Sequence, residues 1–161
     1  MTAYAFTTRW RVGASIQRVF DQIVDVDAWP EWWRGVIRVD TLAAASGGVG
    51  ARHRFVFRSR LPYSVTFDIL VTEVEQPWLL AGVATGELEG VGRWELAPDG
   101  DATLVTYVWN VRTTRWWMNL VGPIARPLFE ANHDQMMTWG LDGLGRRLGC
   151  SAEAIRTSAN D

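Results

Sequence analysis

Polar and apolar residues alternate from Phe6 to Val12, with Phe6, Thr8, Trp10 and Val12 on one side, which predicts a strand. Ser15 then stands as an N-cap before Ile16, Val19, Phe20, Ile23 and Val24, whose i, i+3, i+4, i+7, i+8 spacing predicts a helix with one buried face. That helix should end near Asp25. A long alternating region follows, with strands expected at Val36–Leu42, Ala51–Ser59, Ser64–Glu75, Trp78–Thr85, Glu87–Leu96 and Thr103–Val111. Turn residues punctuate it: Gly47-Gly48-Val49-Gly50, Leu61-Pro62-Tyr63, Gln76-Pro77, Gly86 and Pro98-Asp99-Gly100-Asp101. Short connections between successive strands predict an antiparallel meander.

The last large element is predicted from about Pro127 to Gly149. Phe129, His133, Met136, Met137, Gly140, Leu141, Leu144 and Leu148 fall within one arc of a helical wheel, and Glu130 lies at its edge. About 23 residues at 1.5 Å each span roughly 34 Å, the width of a small domain. Gly149 can close the helix, and residues 151–161 read as a frayed polar tail. No repeat or linker divides the chain, so residues 1–150 are expected to form a single domain. A sheet this long, covered by one helix, must curl around it, and the space between them can become a cavity.

Between the first helix and the second strand the chain reads Asp25-Val26-Asp27-Ala28-Trp29-Pro30-Glu31-Trp32-Trp33-Arg34. Three of its ten tryptophans lie within five residues there. Pro30 is expected to push Trp29 out of the α region and to fix its own φ for a first helical turn, bending the chain sharply. Three neighbouring indoles must be packed under something or line a hollow, because together they would make a sticky surface.

Composition narrows the class. The 161 residues are 48% hydrophobic, enough for a full core. A net charge of −2 gives no electrostatic reason to bind nucleic acid. The single cysteine, Cys150, excludes a disulfide framework. The first twenty residues carry Arg9, Arg11 and Arg18 and no apolar run, and no stretch approaches the roughly 20 apolar residues of a membrane span. The expected setting is the cytoplasm.

The segments Val12-Gly13-Ala14-Ser15, Asp25 to Trp33 and Gly92-Arg93-Trp94-Glu95-Leu96, with the long closing helix, resemble the START-like superfamily. It is also called SRPBCC, or polyketide cyclase/dehydrase and lipid-transport domains. The likeness covers residues 4–149. It implies an α+β helix-grip fold, in which a curved antiparallel sheet of about seven strands wraps a long C-terminal helix, with short helices after the first strand. The superfamily includes lipid and hormone carriers, polyketide aromatase/cyclases and oxygenase domains. The resemblance therefore implies a hydrophobic cavity without choosing a reaction.

His133 is the foremost candidate for chemistry. It sits between Phe129 and Met136/Met137, so its imidazole should face the sheet as a hydrogen-bonded core residue, a polar anchor for a ligand's hydroxyl or carbonyl, or a general acid–base. No carboxylate is identifiable beside it. His53 shares a strand face with Phe55 and Phe57, opposite Arg52, Arg54 and Arg58, and an arginine face belongs in water. Both histidines are thus expected to look inward. Two histidines without a third inward ligand do not make a zinc site, so no metal and no cofactor are expected.

A ligand cavity would be lined by some of Trp33, His53, Phe55, Phe57, Phe67, Trp94, Trp109, Phe129, His133, Met136 and Met137. Tyr107 and Val105 share the face of Trp109, and Leu88, Gly90, Gly92 and Leu96 that of Trp94. Arg112 to Val121 is an apolar stretch read as a short helix on the sheet edge, or as a lid or docking patch in which Trp116, Trp117 and Met118 touch a membrane or protein. Carriage of a small hydrophobic ligand of lipid-like, polyketide-like or aromatic character is the leading function. The alternatives are a cyclase or dehydratase using His133, and an interaction module whose interior is filled.

Overall fold

The N-terminal alternation forms strand β1 (Ala3–Val12), which begins early enough to place Tyr4 on the same face as Phe6, Trp10 and Val12. The structure is a computed structural model and describes residues 2–156. Helix α1 (Ile16–Val24) buries Val19, Phe20 and Ile23, and the Ser15 side chain accepts from the Arg18 amide at its start.

A single 3-10 turn, Val26–Ala28, leads into helix α2 (Trp29–Trp32). The expectation that Pro30 drives Trp29 from the α region is not met, since Trp29 has φ −54° and ψ −39°. Local hydrogen bonds outweigh the pre-proline preference: its amide donates to the Val26 carbonyl, and its indole N–H to the carbonyls of Gln22 and Ile23, both at 3.2 Å. Trp29 thereby caps the end of α1 and anchors the bend. Pro30 stands in the first helical turn, where a missing N–H is no loss.

Strands β2 (Val36–Ala43), β3 (Arg52–Arg58), β4 (Ser64–Glu75), β5 (Leu79–Gly86), β6 (Leu88–Asp99) and β7 (Ala102–Thr113) follow as the expected meander. The sheet is antiparallel with order β2-β3-β4-β5-β6-β7-β1-β8, so β1 closes against β7. Eight strands stand where about seven were expected, because part of the supposed tail is strand β8 (Ala152–Ala154). Gly149 adopts φ 64°, which turns the chain back. The Gly13 amide then donates to the Ser151 carbonyl at 2.7 Å, and Ala152 pairs with Val12. β8 covers part of the exposed edge of β1. The remainder of the expected tail, 157–161, lies outside the described residues.

After β7 come α3 (Trp116–Leu120) and the closing helix α4 (Gly122–Leu148), five residues longer at its start than the pattern predicts. Pro123 suits the opening turn, and Pro127 forfeits one hydrogen bond close to the helix end, so both are tolerated. Met136, Met137, Gly140, Leu141, Leu144 and Leu148 are buried against the sheet and the tryptophan bend. This is the helix-grip architecture. Among the described residues no helix is long and apolar enough to cross a membrane.

Candidate functional site

Between sheet and α4 the interior is not completely filled. A chamber of about 110 Å³ lies under the N-terminal half of α4. A second of about 60 Å³ lies between Val26 and Trp29 of the bend and strands β3 to β7, with no α4 residue in its lining. Trp29, Phe57, Phe67, Tyr107 and Trp109 line both, so the two are neighbours across a partition of aromatic rings. Among the described residues, no Asp, Glu, Lys or Arg lines either one.

Trp33, Phe129, His133, Met136 and Met137 border the larger chamber, and His53, Phe55 and Trp94 the smaller. Phe57, Phe67 and Trp109 border both. The β3 faces divide as expected: Phe55 is buried while Arg52, Arg54, Arg58 and Arg60 are exposed, with Arg54 paired to Asp68 at 2.7 Å.

Several lining residues lie outside the expected set. Tyr4 and Phe6, two apart on β1, meet Phe129 and His133, four apart on α4. The Tyr4 and Phe129 rings are 5.6 Å apart and tilted by 57°. The Phe6 and His133 rings stack at 3.8 Å and 6°. Strand spacing of two and helix spacing of four advance by similar lengths, which lets the pairs register. Tyr4 could have been found by extending the β1 alternation one step back from Phe6. Trp29 and Tyr107 carry the partition, and Tyr107 stacks on Trp94 at 4.0 Å.

His133 is deeply placed, its side chain 11% exposed, and neither ring nitrogen has a hydrogen-bond partner among the described residues. A carboxylate does stand nearby, contrary to expectation: Asp134 Oδ1 is 3.7 Å from Nδ1, too long for a hydrogen bond, and belongs to an exposed side chain. Burial dominates and lowers the pKa of His133 to about 4, Asp134 opposing only in part. The ring is neutral at pH 7, a weak base with nothing to fix its tautomer. Tyr4 is similarly buried, its hydroxyl also without a partner among the described residues, and burial raises its pKa while Arg126 opposes.

His53 is held differently. Its Nδ1 lies 3.1 Å from Thr41 Oγ1, which donates to the Asp27 carboxylate at 2.9 Å. The hydroxyl has one proton and gives it to the carboxylate, so His53 Nδ1–H must be the donor to Thr41. Burial lowers the His53 pKa and Asp27 opposes. The two histidines line different chambers and do not form a shared site.

The apolar stretch after β7 is a helix seated on the sheet edge. Asn119 Oδ1 accepts from the Thr2 amide at 3.1 Å and from Thr113 Oγ1 at 2.9 Å. Met118 is buried, and Trp117 is half-buried and packs edge-on against Tyr63 at 5.1 Å. Of the three residues expected in a docking patch, only Trp116 faces outward, 75% exposed. Leu120, Ile124 and Leu128 are exposed beside it in sequence.

A family model described as polyketide cyclase/dehydrase and lipid transport matches residues 4–149. No curated protein matches the chain. Among solved structures, a Thermus thermophilus protein is 17% identical with a TM-score of 0.78, covering 90% of this chain and 97% of its own. The Zhui aromatase/cyclase from a Streptomyces species is 14% identical with a TM-score of 0.75, over 92% and 94% of the two chains. A START superfamily protein from Mycobacterium smegmatis is 19% identical with a TM-score of 0.71, over 91% and 98%. Likeness at these identities shows the fold alone.

Proposed function

Because the chain belongs to the polyketide cyclase/dehydrase and lipid-transport family, we propose that it binds a small hydrophobic molecule in its two-chambered interior. The observation that carries this reading is the uncharged, aromatic-walled space that the sheet encloses with the tryptophan bend and, for the larger chamber, with α4. An apolar cavity of about 150 Å³ accepts benzene. A chamber of about 110 Å³ beside one of about 60 Å³ therefore favours a compact aromatic ligand over a long acyl chain. Met136 and Met137 supply wall that can adjust to shape.

The enzymatic alternative, a cyclase or dehydratase step through His133, receives less support. An efficient general base is tuned near the working pH and oriented by a partner, and His133 has neither advantage. Native mass spectrometry of freshly purified protein should reveal a co-purified small molecule. Toluene or naphthalene should in addition change the emission of Trp29, Trp33, Trp94 and Trp109, which line the chambers. No bound species, and no response to either hydrocarbon, would refute the reading.

A further inference from the structure

The outer surface of the closing helix changes character along its length. From Glu130 to Arg147 its exposed residues are charged or hydroxylated, Ala131 apart. From Trp116 to Leu128, across α3 and the start of α4, Arg126 is the one polar residue among the exposed ones. Trp116 and Leu120 are 75% exposed, Ile124 87% and Leu128 53%. They recur every four residues, and the turn between the helices keeps that spacing. The Val121 amide donates to the Trp117 carbonyl at 3.2 Å, and the Val121 carbonyl accepts from the Ala125 amide at 2.8 Å. The four side chains therefore form one ridge about 18 Å long, with Val121, Pro123 and Pro127 exposed alongside it.

Charge at this end of the molecule is one-sided. No Asp or Glu occurs between Asp101 and Glu130, nor between Asp40 and Asp68. Folding joins these two acid-free segments. Trp117 packs on Tyr63, Arg115 donates to the Ser64 carbonyl, and the Ser59 hydroxyl bonds to Asn132, one turn beyond Leu128. Glu87, Glu89 and Glu130 are each paired, with Arg115, Arg112 and Arg126 respectively. Asp134, the next acid on α4, is outnumbered by Arg58 and Arg60, both exposed and without an ion-pair partner among the described residues. This end thus holds a positive surplus, although the whole chain has a net charge of −2.

We propose that this ridge docks the protein on an anionic lipid surface, with Trp116, Leu120, Ile124 and Leu128 in the acyl boundary and Arg58 and Arg60 against the headgroups. A bilayer receives a convex ridge without a matching groove, each side chain entering on its own, and tryptophan favours that boundary. A second copy of the chain would instead bring the same arginines towards each other. The contact does not require the chambers to be occupied. The test is flotation of the protein with vesicles of phosphatidylcholine, alone or with about one third phosphatidylglycerol, at about 0.1 M salt. Binding to the anionic vesicles should exceed binding to the neutral ones by about tenfold. Ile124→Glu, at a site too exposed to disturb the core, should lower it by about tenfold or more with the melting temperature unchanged. Leu120→Ser should lower it as well. Arg58→Ser combined with Arg60→Ser should lower anionic binding by about tenfold and leave neutral binding as it was. No flotation with either vesicle, equal flotation with both, or undiminished binding of Ile124→Glu would overturn the proposal. In place of vesicle binding, a dimer in sedimentation equilibrium that Ile124→Glu dissociates would overturn it too, and would assign the ridge to a second copy.

Discussion

The indole N–H of Trp33 donates to the main-chain carbonyl of Met136 across 2.8 Å, tying the tryptophan bend to the middle of the closing helix. The approach is close because α4 has glycine where the two meet. A Cβ on Gly140 would lie 2.6 Å from the Trp33 ring, and one on Gly143 would lie 1.8 Å from the Trp32 carbonyl oxygen. Trp33 and Met136 both wall the larger chamber, so this contact sets part of its shape.

Gly140→Ala should therefore destabilise the protein, although alanine is the better helix former by about 1 kcal/mol. The Trp33 indole is buried, rigid and hydrogen-bonded, and overpacking of this kind costs about 1–3 kcal/mol. Gly143→Ala should cost more, because it strikes backbone. Urea denaturation of both variants checks the order, and a higher midpoint for Gly140→Ala than for the parent would contradict it.

Leu144 is fully buried on the α4 arc that faces the sheet. Leu144→Ala should lose about 2–5 kcal/mol. Leu144→Asp introduces an unpaired charge into the seam and should abolish the cooperative thermal transition seen by circular dichroism.

Stability should fall on mild acidification in a way that depends on His133. Its pKa in the folded state, about 4, lies below its ordinary value of 6.5, so the unfolded chain takes up the proton first. The contribution is intact above about pH 6.5 and is lost as pH falls towards 4, at up to about 1.4 kcal/mol per unit. His53, also shifted down, adds loss of the same sign. Denaturation measured at several pH values should give a shallower decline for His133→Leu than for the parent. Identical slopes would mean that His133 titrates normally in the folded protein.

Helix α3 is held to the end of the sheet by Arg115, which pairs with Glu87 and donates to the Ser64 carbonyl at 3.2 Å. Glu87 also accepts from the Thr66 amide at 2.6 Å. Glu87→Gln should loosen this clamp, raising hydrogen–deuterium exchange across Trp116–Leu120 while β6 and β7 stay protected. Because Trp117 packs on Tyr63, a wall of the larger chamber, ligand affinity should fall with it.

What the chain discloses before folding is whatever depends on periodicity. The strands from β2 to β7, the buried stripe of α1 and the arc from Phe129 to Leu148 are local patterns, and each dictates which side chains turn inward. Hence His53 and Phe55 separate from Arg52 and Arg54, and His133 faces the sheet, in the sequence as in the structure. Other features arise only when distant segments meet. β8 is three residues long, too short for a periodic signal, and exists because Gly149 returns the chain to β1. Trp29 occupies the α region because carbonyls of α1 accept its indole proton. Tyr4 meets Phe129, and Phe6 meets His133, only after β1 has crossed to pair with β7 under α4. The chambers themselves belong to this second class. Their volume is the small remainder between the space enclosed by sheet and helix and the bulk of the rings packed into it. It is therefore set by the placement of those rings and by no residue pattern.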